Sequence, residues 1–350
     1  MRIVDDAAVG PYERVVHAED AASGLRTIVA VHSTALGPAA GGTRFHPYAS
    51  AASAVIDALR LAEGMTMKAA VAGLPLGGGK AVIVGDPREA ARPRLWEAYA
   101  RVIDHLGGSY LAAEDVGTGV ADMVELRRHT PHVIGLPQGP DWDGDPSPFT
   151  ARGVAAAMRA AWAEETGADS LAGVRVVVVG VGKVGGRLAR LLAAEGAEVA
   201  VSDVDAARSR DVARDVAGRI LDPAAALAAP CDILAPCALG GVLTPASAAA
   251  LRCRWVVGAA NNQLSEDAVA DLLARRHVGY VPDFVANGGG VISIAEAMAG
   301  GTAESAADAV DRIAETVTEL IEAAAASGGT LLAAARRRAA SRLALAAATS

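Results

Sequence analysis

Lys68 and Lys80 flank a run of small residues, in Met65-Thr66-Met67-Lys68 and Leu76-Gly77-Gly78-Gly79-Lys80. Glycine lets a backbone close on a ligand with no side chain in the way. Two ammonium groups facing one space attract a carboxylate, and each lowers the other's affinity for a proton. An amine that is neutral near physiological pH is a usable base. The pair therefore points to an enzyme that grips a small anion and moves protons.

About a hundred residues later comes a second constellation. The β-branched run Val174-Arg175-Val176-Val177-Val178-Val179 reads as a strand buried on both faces, and it ends in Gly180-Val181-Gly182-Lys183-Val184-Gly185. A helix follows with Leu188, Leu191 and Leu192 on one side, then a strand, Ala197 to Asp203. Gly180 permits the tight turn, Gly182 lets a pyrophosphate reach the backbone, and Gly185 lets helix and strand approach. The amides of Lys183 and Val184 open the helix toward phosphate oxygens. Asp203, at the end of the second strand, can accept hydrogen bonds from both ribose hydroxyls, which favours NAD. Arg208 and Arg210 could pair a 2′-phosphate and leave NADP as the alternative.

These groups need a scaffold of two parts. A chain of 350 residues exceeds the usual size of a single core, so two domains separated by a cleft are expected. Residues 12 to 34 suggest a hairpin turning at Ser23-Gly24. Ser53 to Glu63 has helical periodicity with Ser53 as its cap, and the glycine cluster opens into a strand, Ala81 to Val84. A helix over Pro93 to Leu106 and a strand over Ser109 to Ala113 complete an α/β pattern. The proline, glycine and aspartate content of Pro137 to Pro148 marks a hinge, after which a helix runs from Thr150 to Gly167. The expected fold is α/β, with an N-terminal α/β substrate domain over 1–140, completed by C-terminal helices 325–350. A Rossmann, doubly wound dinucleotide-binding domain spans 146–324.

Lysine plus arginine number 32 against 40 acidic residues, a net charge of −8 that disfavours nucleic acid or an anionic membrane as partner. The start, Met1 to Asp6, lacks a basic region followed by an apolar core, so a cytoplasmic protein is expected. Cys231, Cys237 and Cys253 have no metal-ligand spacing, and no metal is expected.

Seven blocks carry a resemblance: Gly37-Pro38-Ala39-Ala40-Gly41-Gly42-Thr43-Arg44, the two lysine segments, Ala113-Glu114-Asp115-Val116-Gly117-Thr118, Asp145 to Thr150, Gly258-Ala259-Ala260-Asn261-Asn262 and Pro282 to Gly290. In this order the chain resembles the glutamate, leucine, phenylalanine and valine dehydrogenase family. The resemblance implies a homo-oligomer that converts an L-amino acid reversibly to its 2-oxo acid and ammonia. It implies that Lys68 grips the α-carboxylate with backbone amides near Gly41 and Gly42. Lys80 activates the attacking water, and Asp115 passes protons, although a turn cap ahead of Gly117 is its other reading. Asn262 would orient the amino group, and Thr150 and Asn261 would clamp the nicotinamide carboxamide. Asn287 would join them or only cap the following helix.

Glutamate-specific relatives carry a lysine where this chain has Ala40, and a buried γ-carboxylate without a partner would cost several kcal/mol. Ile294 also replaces a hydroxyl of those enzymes. Ala113, Val291 and Ile294 look like the leucine and valine enzymes, whereas Ala40 resembles a phenylalanine enzyme. Branched-chain aliphatic substrates are expected, with phenylalanine the alternative. A 2-hydroxy-acid dehydrogenase would need a histidine base, and none of the seven histidines lies in such a motif. A non-catalytic nucleotide sensor would be expected to lack one of Lys68, Lys80 or Asp115.

Overall fold

The structure is a computed structural model that describes residues 1–88, 92–140 and 142–349, so Asp141 of the expected hinge and Ser350 lie outside the described residues. The chain divides into two compact units. One comprises Met1–Asp145, Ile294–Ala303 and the residues from Ala339 on, and the other comprises Pro146–Ser293 and Glu304–Arg338.

The first unit is built on β1 (Arg2–Val9), β2 (Tyr12–Asp20), β3 (Leu25–Ser33), β4 (Ala39–His46), α1 (Ala51–Val71), β5 (Gly77–Val84), α2 (Arg92–His105), β6 (Tyr110–Glu114) and α3 (Val120–Arg127). Its sheet runs β1-β2-β3-β5-β4-β6. The first four strands in that order pair antiparallel, and β4 is parallel to both β5 and β6. One face buries Val29, Phe45, Ala81, Ile83 and Tyr110 with Trp96, Tyr99 and Ile103 of α2. The other buries Val15, Ile28, Ala30 and Val82 with Ala54, Ala58 and Ala62 of α1.

Three elements differ from expectation. The helix α1 runs to Val71, so Lys68 is helical, and its cap is Ser50, whose side chain accepts from Ser53 N while Ser53 answers at the third helical position. The strand expected from Ala81 begins at Gly77, so the glycine run is the start of β5. Its small residues serve helix–sheet contact, because a Cβ on Gly78 would lie 2.1 Å from Thr66 N. Strand β1 is an edge strand of largely exposed residues, without the buried alternation by which β2 and β3 announce themselves.

The second unit contains α4 (Ser147–Thr166), β7 (Arg175–Val179), α5 (Lys183–Ala194), β8 (Glu198–Ser202), α6 (Ala206–Asp215), β9 (Arg219–Ile220), β10 (Ile233–Pro236), α7 (Pro245–Ala250), β11 (Trp255–Val256), α8 (Ala268–Arg275), β12 (Gly279–Tyr280) and α9 (Asp283–Ala286). The helices α10 (Gly289–Met298), α11 (Ala303–Asp311), α12 (Ile313–Ser327) and α13 (Leu331–Thr349) complete the chain. Its sheet is wholly parallel in the order β12-β11-β10-β7-β8-β9. The chain winds outward from β7 in one direction and from β10 in the other, the doubly wound Rossmann arrangement. The switch point between them is where such sheets take ligands, beyond the strand C-termini. Among the described residues no helix is long and apolar enough to cross a membrane, and no group of three or more His, Cys, Asp or Glu could hold a metal ion.

The packing predicts opposite effects at two glycines. Gly78→Ala pushes a methyl into the α1 backbone and should destabilise the protein by about 2 kcal/mol or more in urea denaturation. Gly64 lies within α1 with nothing within 4 Å of a Cβ, so Gly64→Ala should be neutral or stabilising by up to ~1 kcal/mol. Equal effects would contradict this account of why β5 begins with glycines.

Candidate active site and nucleotide site

The period of two along a strand decides which side chains of the first sheet meet. Ala39 and Phe45 of β4, Ala81 and Ile83 of β5, and Tyr110 and Ala112 of β6 face α2. The intervening residues Ala40, Gly42 and Arg44, Gly78 and Lys80, and Ala113 therefore face α1, and Asp115, next after β6, continues that series. Register aligns them, with Ala40 beside Gly78 and Leu111, and Gly42 beside Ala113. On α1, Asp57 and Lys68 are eleven residues apart, three turns, and so share one side of the helix. Asp57 meets Arg44 of the sheet, which sets Lys68 on the sheet side, where it is half-buried.

The centre of this face is an ion cluster. Lys80 Nζ donates to Asp115 Oδ2, and Arg44 Nε donates to the same oxygen at 3.2 Å. Arg44 Nη1 reaches Asp57 Oδ2 at 2.8 Å, and Tyr48 OH donates to that oxygen at 2.6 Å. The Lys80 side chain is only 7% exposed. Burial lowers its proton affinity, Asp115 works against this, and the Arg44 cation adds to the lowering. The sequence offers Lys68 as an assisting cation, and the structure adds Arg44 in that role. Burial by itself would raise the Asp115 carboxyl, but Lys80 and Arg44 outweigh it and hold it at about 2.

Gly42 makes room for the pair, since a Cβ there would lie 2.8 Å from Asp115 Cβ and 3.1 Å from Lys80 Nζ. Gly41 turns the other way, and its carbonyl accepts from Tyr110 OH at 2.7 Å. The Asp115 turn is fixed by its backbone, with Asp115 N donating to Thr118 Oγ1 at 2.9 Å and Phe45 N to Val116 O at 2.9 Å. Its carboxylate meets both cations and also accepts from the Val116 backbone N–H, so it steadies the turn ahead of Gly117 as well. Ala40 and Ala113 are buried, and Ile294 packs near Gly135, with its Cδ1 3.6 Å from where a Cβ would stand.

In the second unit, Gly180 takes a positive φ of 95° and leads into α5, whose first residue is Lys183. A Cβ on Gly185 would meet Gly180 O at 1.9 Å, whereas one on Gly182 would meet nothing within 4 Å. Gly185 is thus demanded by the protein's own packing. Gly182 is not, and it leaves the helix N-terminus open in front, a cradle that suits a pyrophosphate. Lys183 is exposed and Val184 half-buried beside it. Asp203 Oδ2 accepts from Val181 N at 2.8 Å and its Oδ1 from Asp205 N at 2.9 Å, so it ties β8 to the glycine turn. Arg208 stands 3.7 Å from Asp203 Oδ2.

A second cluster forms where β11 ends. Asn261 Oδ1 accepts from Asn287 Nδ2 at 2.9 Å, and Ala259 O accepts from the same nitrogen at 3.0 Å. Asn287 therefore pins the 259–261 loop and does not cap the next helix. Its Oδ1 is buried without a hydrogen-bond partner. Asn262 is held at a positive φ of 51° while its N–H donates to Asp283 Oδ2 at 2.8 Å. Thr150, in the first turn of α4, packs on the start of α10, 2.7 Å from where a Gly290 Cβ would stand. Val291 follows, buried.

Sequence reasoning did not single out Arg44, Asp57, Tyr48 or Asp283. Strand alternation from Gly42 could have flagged Arg44; nothing local signals Asp57 or Tyr48, whose partners are 13 and 9 residues away, and the bond from Asp283 to Asn262 spans 21 residues.

Residues 12–132 match the family model described as Glu/Leu/Phe/Val dehydrogenase, dimerisation domain, and residues 208–349 match that described as Glutamate/Leucine/Phenylalanine/Valine dehydrogenase. A leucine dehydrogenase of Bacillus subtilis is 43% identical over 311 residues, 89% of this chain and 85% of the relative. A valine dehydrogenase of Streptomyces coelicolor is 47% identical over 298 residues, 83% of this chain and 81% of the relative. The crystal structure of an L-tryptophan dehydrogenase from Nostoc punctiforme has a TM-score of 0.79 at 35% identity, covering 96% of this chain and 97% of that one. On the strength of both family models and of relatives this similar along most of its length, the chain belongs to the glutamate, leucine, phenylalanine and valine dehydrogenase family and is an amino-acid dehydrogenase.

Proposed function

We propose that the enzyme catalyses NAD-dependent, reversible oxidative deamination of an apolar L-amino acid of the leucine, valine or isoleucine type. The observation that carries this reading is the buried Lys80–Asp115 pair on a sheet face lined by Ala40, Gly42 and Ala113. Lys68 holds the substrate α-carboxylate, with backbone amides near Gly41 and Gly42. When bound, NAD supplies the hydride acceptor for the α-hydrogen. Lys80, neutral, takes a proton from water as that water adds to the iminium carbon. Asp115, ionised and hydrogen-bonded to Lys80, receives and returns protons at the departing amino group. Asn262 orients the amino group.

Gly180, Gly182, Lys183, Val184 and Gly185 cradle the pyrophosphate, and Asp203 holds the ribose. Thr150, Asn261 and Asn287 hold the carboxamide, the orphaned Asn287 Oδ1 being an acceptor suited to an amide N–H. Arg208 beside Asp203 is the feature that NADP could use.

The apolar choice rests on Ala40 and Ala113, which offer a side-chain carboxylate no cation. Relatives named for leucine and valine agree with it. The small size of Ala40, together with the relative named for tryptophan, supports an aromatic substrate such as phenylalanine as the second reading. We further read the enzyme as a cytoplasmic homo-oligomer, in keeping with the family model's description of residues 12–132 as a dimerisation domain.

NAD reduction with a panel of L-amino acids at alkaline pH tests the reading. Leucine, valine and isoleucine should be oxidised and glutamate should not; no reduction with any amino acid would sink it. Lys80→Ala should lower kcat by at least about 10³-fold with NAD affinity nearly unchanged. The sign of the pH effect follows from the base having to be neutral. Burial puts the Lys80 pKa below its ordinary value, so kcat/KM should rise with pH and level off below about 10.4. Asp203→Ala should raise the NAD KM about tenfold or more while leaving the order of amino-acid preference intact; an unchanged KM would remove Asp203 from the cofactor site.

A further inference from the structure

We propose that Arg44, anchored by Asp57 and Tyr48, is the positioning residue that sets the Asp115 carboxylate against Lys80. The inference rests on the deamination reading above and assigns a residue to the same site. Arg44 is two-handed. Its Nε donates to Asp115 Oδ2 at 3.2 Å and its Nη1 to Asp57 Oδ2 at 2.8 Å, so one rigid guanidinium plane links the turn after β6 to helix α1. Tyr48 OH, donating to the same Asp57 oxygen at 2.6 Å, keeps that far end from turning away.

Lys80 and Arg44 thus share a single oxygen of Asp115. Without Arg44 that carboxylate would keep only the Lys80 ammonium and the Val116 backbone N–H, and would lose its tie to helix α1. A carboxylate that must both receive and return a proton at the amino group needs a fixed angle, and a second donor on Oδ2 supplies it. The charge has a second effect. Arg44 disfavours a proton on Lys80 and stabilises the ionised Asp115.

The titratable groups around the cluster are few. Asp57 comes from α1, which also carries Lys68; Glu114 precedes Asp115 on β6; Tyr48 follows β4. Tyr110 of β6 and Tyr99 of α2 lie on the opposite face of the sheet, where they bond Gly41 O and Thr43 Oγ1. Burial pushes the Tyr48, Tyr99 and Tyr110 hydroxyls up, so none of them titrates through the assay range.

The test is the pH profile of kcat/KM for leucine at saturating NAD, measured for the wild type, Arg44→Met and Arg44→Lys. Arg44→Met should lower kcat about tenfold or more at neutral pH and move the rising limb up by about one pH unit, with the NAD KM unchanged. Arg44→Lys keeps the charge but cannot grip two carboxylates through one plane. Its limb should stay near that of the wild type while kcat remains depressed. A merely structural arginine would cost thermal stability and leave the limb in place. If both variants give the wild-type profile and kcat, Arg44 positions nothing. A wild type that oxidises no amino acid instead overturns the deamination reading, and this role with it.

Discussion

The site depends on one row of alternating charges, Lys80, Asp115, Arg44 and Asp57, buried at Lys80 and half-buried along the rest. A lone ammonium as little exposed as Lys80 would be costly, and a lone carboxylate at the half-buried Asp115 would be costly too. Together the two cations and two anions cancel. Balance also explains reactivity. When Lys80 gives up its proton the row is left with an excess negative charge, which a proton arriving on Asp115 removes. In the proposed reaction, base and shuttle would in this sense be one coupled device, poised by burial on one side and by Arg44 on the other.

The first sheet makes this device possible because three neighbouring strands, β5, β4 and β6, present alternate residues to one side. Small residues at Gly78, Ala40, Gly42 and Ala113 keep that side low, so the long side chains of Lys80 and Arg44 can lie along it. Helix α1 brings Asp57 and Lys68 over the same face from one stripe, while the opposite face is an ordinary apolar core with α2. In the parallel sheet of the second unit the same economy holds at the glycine turn. There Gly185 answers to internal packing, and Gly182 is left free for a ligand.

Much of this was legible in the sequence. The segment from Val174 to Asp203 is local, each of its parts lying within one strand-turn-helix-strand unit, and its strand, helix and second strand lie where the sequence places them. The strands β2 and β3 declare themselves by β-branched runs. The glycine run before Lys80 misleads, because glycine signals a loop unless a helix presses on the strand, and that contact comes from Thr66. The C-terminal half of α1 is hidden by Gly64 and by the methionines around Thr66, which blur its periodicity. The hydrogen-bond partners of Arg44 and Asn287 could not be read, since only the fold brings them near: Asp115 lies 71 residues from Arg44, and Asn261 lies 26 from Asn287.

The central claim is that the Lys80 amine gives up its proton more readily than an ordinary lysine although a carboxylate touches it. Its titration can be followed directly by NMR of protein carrying ¹³C-labelled lysine, with the Lys80 signal assigned by its loss in Lys80→Arg. A midpoint clearly below the ordinary value of about 10.4 agrees with a base lowered by burial and by Arg44. A midpoint at or above that value would show that the Asp115 pairing dominates, and would contradict Lys80 as the base.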